Sequence, residues 1–107
     1  MINGTKVICL CGSTRFTAEM MMLTWEYAKN GVLALGWFVI PIAEGEPTHH
    51  LAEKEGIADL LDELHLRKID LSDEVHVVNV GGYYGDSTKR EIAYAESQGK
   101  PVKYLFK

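Results

Sequence analysis

The sequence predicts an α/β domain built on a small doubly wound parallel sheet, and three observations carry that expectation. Apolar runs alternate with helically spaced segments in the order β-α-β-α-β-α-β. The first run, Lys6-Val7-Ile8-Cys9-Leu10-Cys11, is continuous rather than alternating, as in strands covered on both faces. Strands joined through helices take right-handed crossovers, and at this length the expected arrangement is flavodoxin- or Rossmann-like with strand order 2-1-3-4. The 107 residues fit one domain, residues 1–107, with no internal repeat, low-complexity tract or linker.

Each element follows from its local pattern. The Lys6–Cys11 strand is closed by Gly12-Ser13-Thr14. Arg15 to Asn30 reads as a helix with Phe16, Met20, Leu23 and Tyr27 on one stripe, and Gly31 caps it. The apolar stretch Val32–Ile42 holds a strand around Trp37 to Ile40, stopped by Pro41, and Ala43–Thr48 is a loop. His50 to Leu71 returns to helical spacing through Ile57, Leu60, Leu61, Leu64 and Ile69; Gly56 leaves open whether this is one helix or two. Glu74–Val80 is the third strand, and Gly81 to Ser87 is a glycine-rich loop. Thr88–Gln98 is a short helix, ended by Gly99 and Pro101, and Val102–Phe106 is the last strand.

Composition narrows the function classes. With 15 acidic and 11 basic residues the net charge is −4, which argues against a nucleic-acid polymer as partner. A small phosphorylated ligand, needing one or two placed groups, is compatible with it. No apolar run approaches the roughly 20 residues that span a bilayer, and Met1–Lys6 lacks a signal-peptide pattern, so a cytoplasmic protein without membrane contact is expected. Cys9 and Cys11 face the same way on a strand and are poorly placed for a disulfide. Buried reduced thiols are their ordinary reading, with a metal or redox role as the alternative. Met20-Met21-Met22 cannot all face inward on one helix. The small size then makes a homo-oligomer the expectation.

In the 2-1-3-4 order the strand sequence reverses direction across the sheet between the first and third strands, and ligands bind at that switch point beyond the strands' carboxyl ends. The loops meeting there are Gly12-Ser13-Thr14-Arg15 and Gly81–Ser87. Gly12 permits close backbone approach, Ser13 and Thr14 offer hydroxyls, and Arg15 a forked cation, a set suited to an anion such as phosphate. The alternative is a capped helix start with a solvated arginine. The spacing is neither that of a P-loop nor that of a dinucleotide fingerprint. In the second loop Glu91 either folds back in a capping box with Thr88 or projects into the cleft as a carboxylate able to attack a sugar's anomeric carbon. His49-His50 with Glu44 and Glu46 match no zinc spacing. Tyr83 and Tyr84 either stack on a base or pack their loop. No residue is assigned to a metal.

Cys11-Gly12-Ser13-Thr14-Arg15, Glu91-Ile92-Ala93-Tyr94-Ala95 and Gly99-Lys100-Pro101-Val102 together resemble the nucleoside 2-deoxyribosyltransferase superfamily. Within it the chain is most similar to the 2′-deoxynucleoside 5′-monophosphate N-hydrolases. The likeness spans most of the chain in element order, through short motifs. It implies Glu91 as nucleophile, Ser13 and Arg15 as 5′-phosphate ligands with Gly85 and Ser87 beside them, no cofactor, and a site completed by a neighbouring subunit.

The chain departs from the family at several points. Cys9 stands nearest the position where the family has an aromatic hydroxyl. His65 stands where counting back eight residues from Asp73 leads to the family's helical aspartate. His65 is therefore the candidate that protonates the leaving base, with Asp86, ahead of Asp70 and Asp73, as the substitute. Lys89 and Arg90 occupy a loop that lacks the family's G-x-G-x-E spacing. The expected activity is cleavage or transfer of the N-glycosidic bond of a nucleoside or nucleoside 5′-monophosphate. The alternatives are a phosphoribohydrolase-type enzyme, a nucleotide-binding module of the same fold without turnover, and a protein whose main role is a protein–protein contact.

Overall fold

In a computed structural model of the chain, residues 1–39 and 55–107 are described. Their central element is β1 (Val7–Gly12), buried along Val7–Cys11. It pairs in parallel with β2 (Leu33–Leu35) on one side and β3 (Glu74–Val78) on the other, and β3 pairs in parallel with β4 (Val102–Tyr104). The sheet is all-parallel with strand order 2-1-3-4, as the alternation of elements predicts. The register sets Cys9 beside Leu35 and Val75, and Gly12 beside Val78.

Alternation along the strands divides the core into two layers. Leu10 and Val78 turn to the face covered by α1 (Thr17–Lys29), where Met20 and Trp37 are buried with them. Cys9, Cys11, Val75 and Val77 turn to the opposite face. There they meet Ile69 of α2 (Ala58–Leu71) and Ile92 and Ala95 of α3 (Asp86–Ser97). Leu10 is fully buried, and truncation to alanine at such a site typically costs about 2–5 kcal/mol. Among the described residues, no helix is long and apolar enough to cross a membrane.

Helix ends are satisfied locally. Ser13 Oγ accepts from the Arg15 amide at 3.3 Å, opening a 3₁₀ turn at Thr14–Phe16 ahead of α1. At the other end Gly31 takes φ +72°, and the Val32 amide reaches back to the Tyr27 carbonyl at 3.0 Å. Lys100 Nζ donates to the carbonyls of Ile69, Asp70 and Ser72 at 2.7–2.8 Å, neutralising the open end of α2. Asn79 and Phe106 exchange two hydrogen bonds, at 3.0 and 2.9 Å, tying the chain beyond β4 to the end of β3.

Several boundaries differ from expectation. The second strand lies at Leu33–Leu35, not at Trp37–Ile40. The Gly36 carbonyl is taken by Lys68 Nζ at 2.8 Å, and Trp37 turns inward to donate from Nε1 to Thr17 Oγ1 at 2.9 Å, so the ladder stops. The third strand ends at Val78 and the fourth at Tyr104, because the Asn79–Phe106 exchange replaces further ladder bonds. The last helix begins at Asp86 rather than Thr88. Gly56 does interrupt the long helical pattern, at φ +72°. Ile40, Pro41, the Ala43–Thr48 loop, His49-His50 with Glu44 and Glu46, and the segment from His50 to Lys54 lie outside the described residues.

Candidate active site

A cleft of about 560 Å³ opens beyond the carboxyl ends of β1 and β3, where the strand order reverses. That is ample for a nucleotide-sized ligand. Gly12, Ser13, Thr14 and Arg15 form one wall, and Gly85, Asp86, Ser87 and Thr88 at the start of α3 form another. The third wall is α2, with His65 and Glu91 of α3 side by side between the two helices.

The first loop is held in place from below. A Cβ on Gly12 would stand 2.9 Å from the Val78 carbonyl oxygen and 3.0 Å from the Trp37 ring, so packing itself requires glycine there. Thr17 Oγ1 donates to the Thr14 carbonyl at 2.6 Å, fixing the turn. Arg15 is exposed, with its guanidinium 4.3 Å from the centre of the Tyr83 ring, and Phe16 meets the same ring edge-on at 6.2 Å. Arg15 forms no ion pair among the described residues, so its charge is available at the cleft's rim.

In the second loop, Gly85 precedes α3, and the first helical bond there runs from the Lys89 amide to the Gly85 carbonyl. The amides ahead of Lys89 have no helical acceptor and lie along this wall. Thr88 is the third residue of the helix and is not its cap, which removes the capping-box geometry with Glu91. Ser87 accepts from Arg90 Nη2 at 3.1 Å, and Asp86 is exposed and 3.8 Å from Lys89 Nζ. Lys89 and Arg90 are not among the cleft-lining residues; among the described residues the cations that line it are Arg15, Arg67 and Lys68. Tyr83 lines the cleft, whereas Tyr84 packs on Tyr104 with ring centres 5.9 Å apart.

Glu91 lies in the second turn of α3 and is buried, as is His65. Its Oε1 is 3.9 Å from His65 Nε2, a charge contact longer than a hydrogen bond. Burial pushes the Glu91 carboxyl up to about 7, His65 opposing it while Cys9 and Asp62 reinforce it. Burial works against protonating His65, yet Cys9 and Glu91 raise it above its ordinary value. His65 Nε2 stands 3.5 Å from Cys9 Sγ and 3.4 Å from Cys11 Sγ. A hydrogen bond from Cys11 lowers Cys9 to about 5 against burial, and Cys11 rises in turn, so one proton is retained between the sulfurs.

The structure thus brings Glu91, His65, Asp86, Gly12, Ser13, Thr14, Arg15, Gly85 and Ser87 to one cleft. It places two other carboxylates elsewhere. Asp70 accepts from the Tyr94 hydroxyl and pairs with Arg67, and Asp73 accepts from the Met1 amino group and the Val7 amide at the opposite end of the sheet. Sequence reasoning missed Leu61 and Lys68 on the α2 wall. Their spacing from His65, four residues before and three after, marks one helical face and was a readable signal. Trp37, expected at the start of a strand, is instead a buried core residue that also lines the cleft.

Comparison with models of known protein families finds none that matches the chain, and comparison with curated proteins finds no match either.

Proposed function

We propose that this protein cleaves the N-glycosidic bond of a (deoxy)nucleoside 5′-monophosphate, with Glu91 as nucleophile. The observation that carries the reading is the buried Glu91–His65 pair on the floor of a nucleotide-sized cleft with the Arg15 guanidinium at its rim. A cleft that had merely been left by packing would not need a carboxylate kept out of water with no close cation to hold its charge. The resemblance of the Gly12–Arg15 and Glu91–Ala95 segments to the N-hydrolases points the same way.

In this reading Arg15, Ser13 and the free amides at the start of α3 hold the 5′-phosphate, with Ser87 beside them. The phosphate sets the sugar's anomeric carbon against Glu91. The ionised Glu91 carboxylate forms a bond to that carbon as the C–N bond breaks, and the electron pair leaves on the base nitrogen. His65, whose protonated form Cys9 and Glu91 favour, gives that nitrogen a proton. Neutral His65 then takes a proton from water as its oxygen attacks the same carbon, releasing the sugar phosphate and restoring the Glu91 carboxylate. With a second base in place of water the same steps give transfer. Tyr83 or Trp37 supplies an aromatic face for the base.

On the same reading the chain acts in the cytoplasm as a homo-oligomer, and exposed Met21, Met22 and Trp25 on α1 offer an apolar contact face. The test is incubation with deoxynucleoside 5′-monophosphates and chromatography for free base. Release that requires Glu91 is expected; release undiminished in Glu91→Ala would remove the nucleophile assignment, and no release from any nucleotide would leave a binding module.

A further inference from the structure

Cys9 and Cys11 lie on the central strand of the sheet, and nothing in glycosidic chemistry uses two thiols. Both point to the α2–α3 face because they are two residues apart on β1. His65, in the middle of α2, aims its Nε2 between them. That nitrogen carries either one hydrogen or one lone pair, yet two sulfurs converge on it at 3.4 and 3.5 Å. A single hydrogen bond accounts for one such approach and leaves the other unexplained.

We propose that Cys9, Cys11 and His65 form a binding site for one thiophilic divalent cation of the zinc class, with Glu91 at its fourth, cleft-facing side. The three donor atoms lie within 4.8 Å of one another and all three residues are buried. Tetrahedral zinc, with sulfur about 2.3 Å and nitrogen about 2.0 Å away, holds such donors about 3.6 Å apart. The two sulfur–nitrogen separations, 3.4 and 3.5 Å, match those around a ligated ion, and the two sulfurs, within 4.8 Å of each other, need only close on it. Glu91 Oε1, at 3.9 Å from Nε2, stands slightly farther out, which leaves the fourth position to a carboxylate or to water.

Donor chemistry selects the ion. Two thiolates and an imidazole suit zinc and its soft neighbours, whereas magnesium and calcium require oxygen. Binding releases to solvent the proton held between the two sulfurs and the one on His65; each sulfur and the neutral Nε2 then give a lone pair, and nothing is oxidised. The ion enters through the cleft, which His65 and Glu91 line. One consequence rests on the glycosidase reading: an ion on Nε2 occupies the lone pair that carries the proton for the leaving base, so ion and turnover exclude each other. Binding itself does not depend on that reading.

The experiment uses the full chain, stripped with a chelator and titrated with Co²⁺ and then Zn²⁺. Near-ultraviolet thiolate-to-cobalt bands and the visible bands of tetrahedral cobalt are expected, saturating at one ion per chain and bleached by zinc. Zinc should also raise Tm in the wild type. Cys9→Ser and Cys11→Ser should lose the charge-transfer bands. Because those side chains belong to the core, His65→Gln on the cleft wall is the variant that keeps the test decisive, and its cobalt affinity should fall at least tenfold. Folded wild type without these bands in excess cobalt, or His65→Gln binding as tightly as wild type, overturns the site. Base release is assayed in parallel on the stripped protein. Cobalt bands without base release uphold the site and remove the glycosidase reading; base release without cobalt bands does the reverse.

Discussion

The sheet holds a buried glutamate–histidine pair at each end, and the two pairs are tuned in opposite directions. Glu74 and His76, at the amino end of β3, are 8% and 7% exposed; Glu91 and His65, at the carboxyl end, are 9% and 5% exposed. Solvent exposure is therefore matched, although Glu91 lies deeper in the protein. Partners are not. His76 Nε2 donates to Glu74 at 2.6 Å, and Lys6 and Lys103 reach the same oxygen at 3.1 and 3.3 Å. With Nε2 so engaged, Nδ1 is left to accept from the Tyr27 hydroxyl. Burial works against the Glu74 charge, yet these bonds hold the carboxyl down at about 2. Glu91 has a histidine 3.9 Å away, a thiol and a nearby aspartate, and is held up at about 7. A satisfied carboxylate is fixed in one state and serves the fold. One left short of cations keeps chemistry available.

The largest effect that can break this contrast comes from exchanging each glutamate for glutamine. In Glu91→Gln, base release should fall by at least about 10³-fold, since the amide cannot form the glycosyl ester. Thermal stability should stay within about 1 kcal/mol of wild type, because the change removes a poorly compensated buried acid. His65→Gln should lower kcat by roughly 10²–10⁴-fold, the usual range for a lost general acid. A large fall in Tm for Glu91→Gln with activity retained in the folded fraction would make Glu91 a second Glu74.

Much of this was legible in the residues. The order of elements, the strand order and the meeting of the two loops followed from apolar runs, helical spacing and glycine positions, all local signals. The place of β2 did not, because Val32–Ile42 is apolar throughout and periodicity cannot choose among its residues. Leu33–Leu35 was selected by tertiary contacts, the Lys68 bond to Gly36 and the inward turn of Trp37. Glu91 was visible as a candidate, but its burial beside His65 depends on how α2 and α3 pack. The convergence of Cys9, Cys11 and His65 joins residues 54 and 56 positions apart, and the Glu74 network joins Lys6 to Lys103. Neither has a local pattern.

Glu74→Gln is the smaller counterpart and acts on stability. It removes a carboxylate that takes three charge-assisted contacts, two from lysines that are roughly half exposed. A fully buried pair costs about 3–5 kcal/mol to break; with half-exposed lysines about 2 kcal/mol is expected, on the order of 10 °C in Tm. The amino-end network lies outside the cleft, so turnover per folded molecule should be unchanged. Denaturant unfolding at neutral pH with kcat measured on the same samples checks both, and a fall in kcat beyond the folded fraction would couple the two ends.

The smallest effect tests why Glu74 is held down at all. Lys103→Met removes one of its cations and should cost no more than about 1 kcal/mol at neutral pH, as surface-exposed partners do. Its signature is in acid. A carboxyl whose folded pKa lies below its unfolded value of 4.5 contributes stability that is fully present above about pH 4.5 and is lost as pH falls toward 2. With one cation fewer the folded value rises toward 4.5, so stability between pH 5 and 2 should fall less steeply than in wild type. In Glu74→Gln that contribution to the slope should vanish. Urea midpoints measured across that range compare the three proteins. Parallel slopes in all three would mean that groups other than Glu74 govern acid unfolding, and that its cationic partners do not hold its carboxyl down.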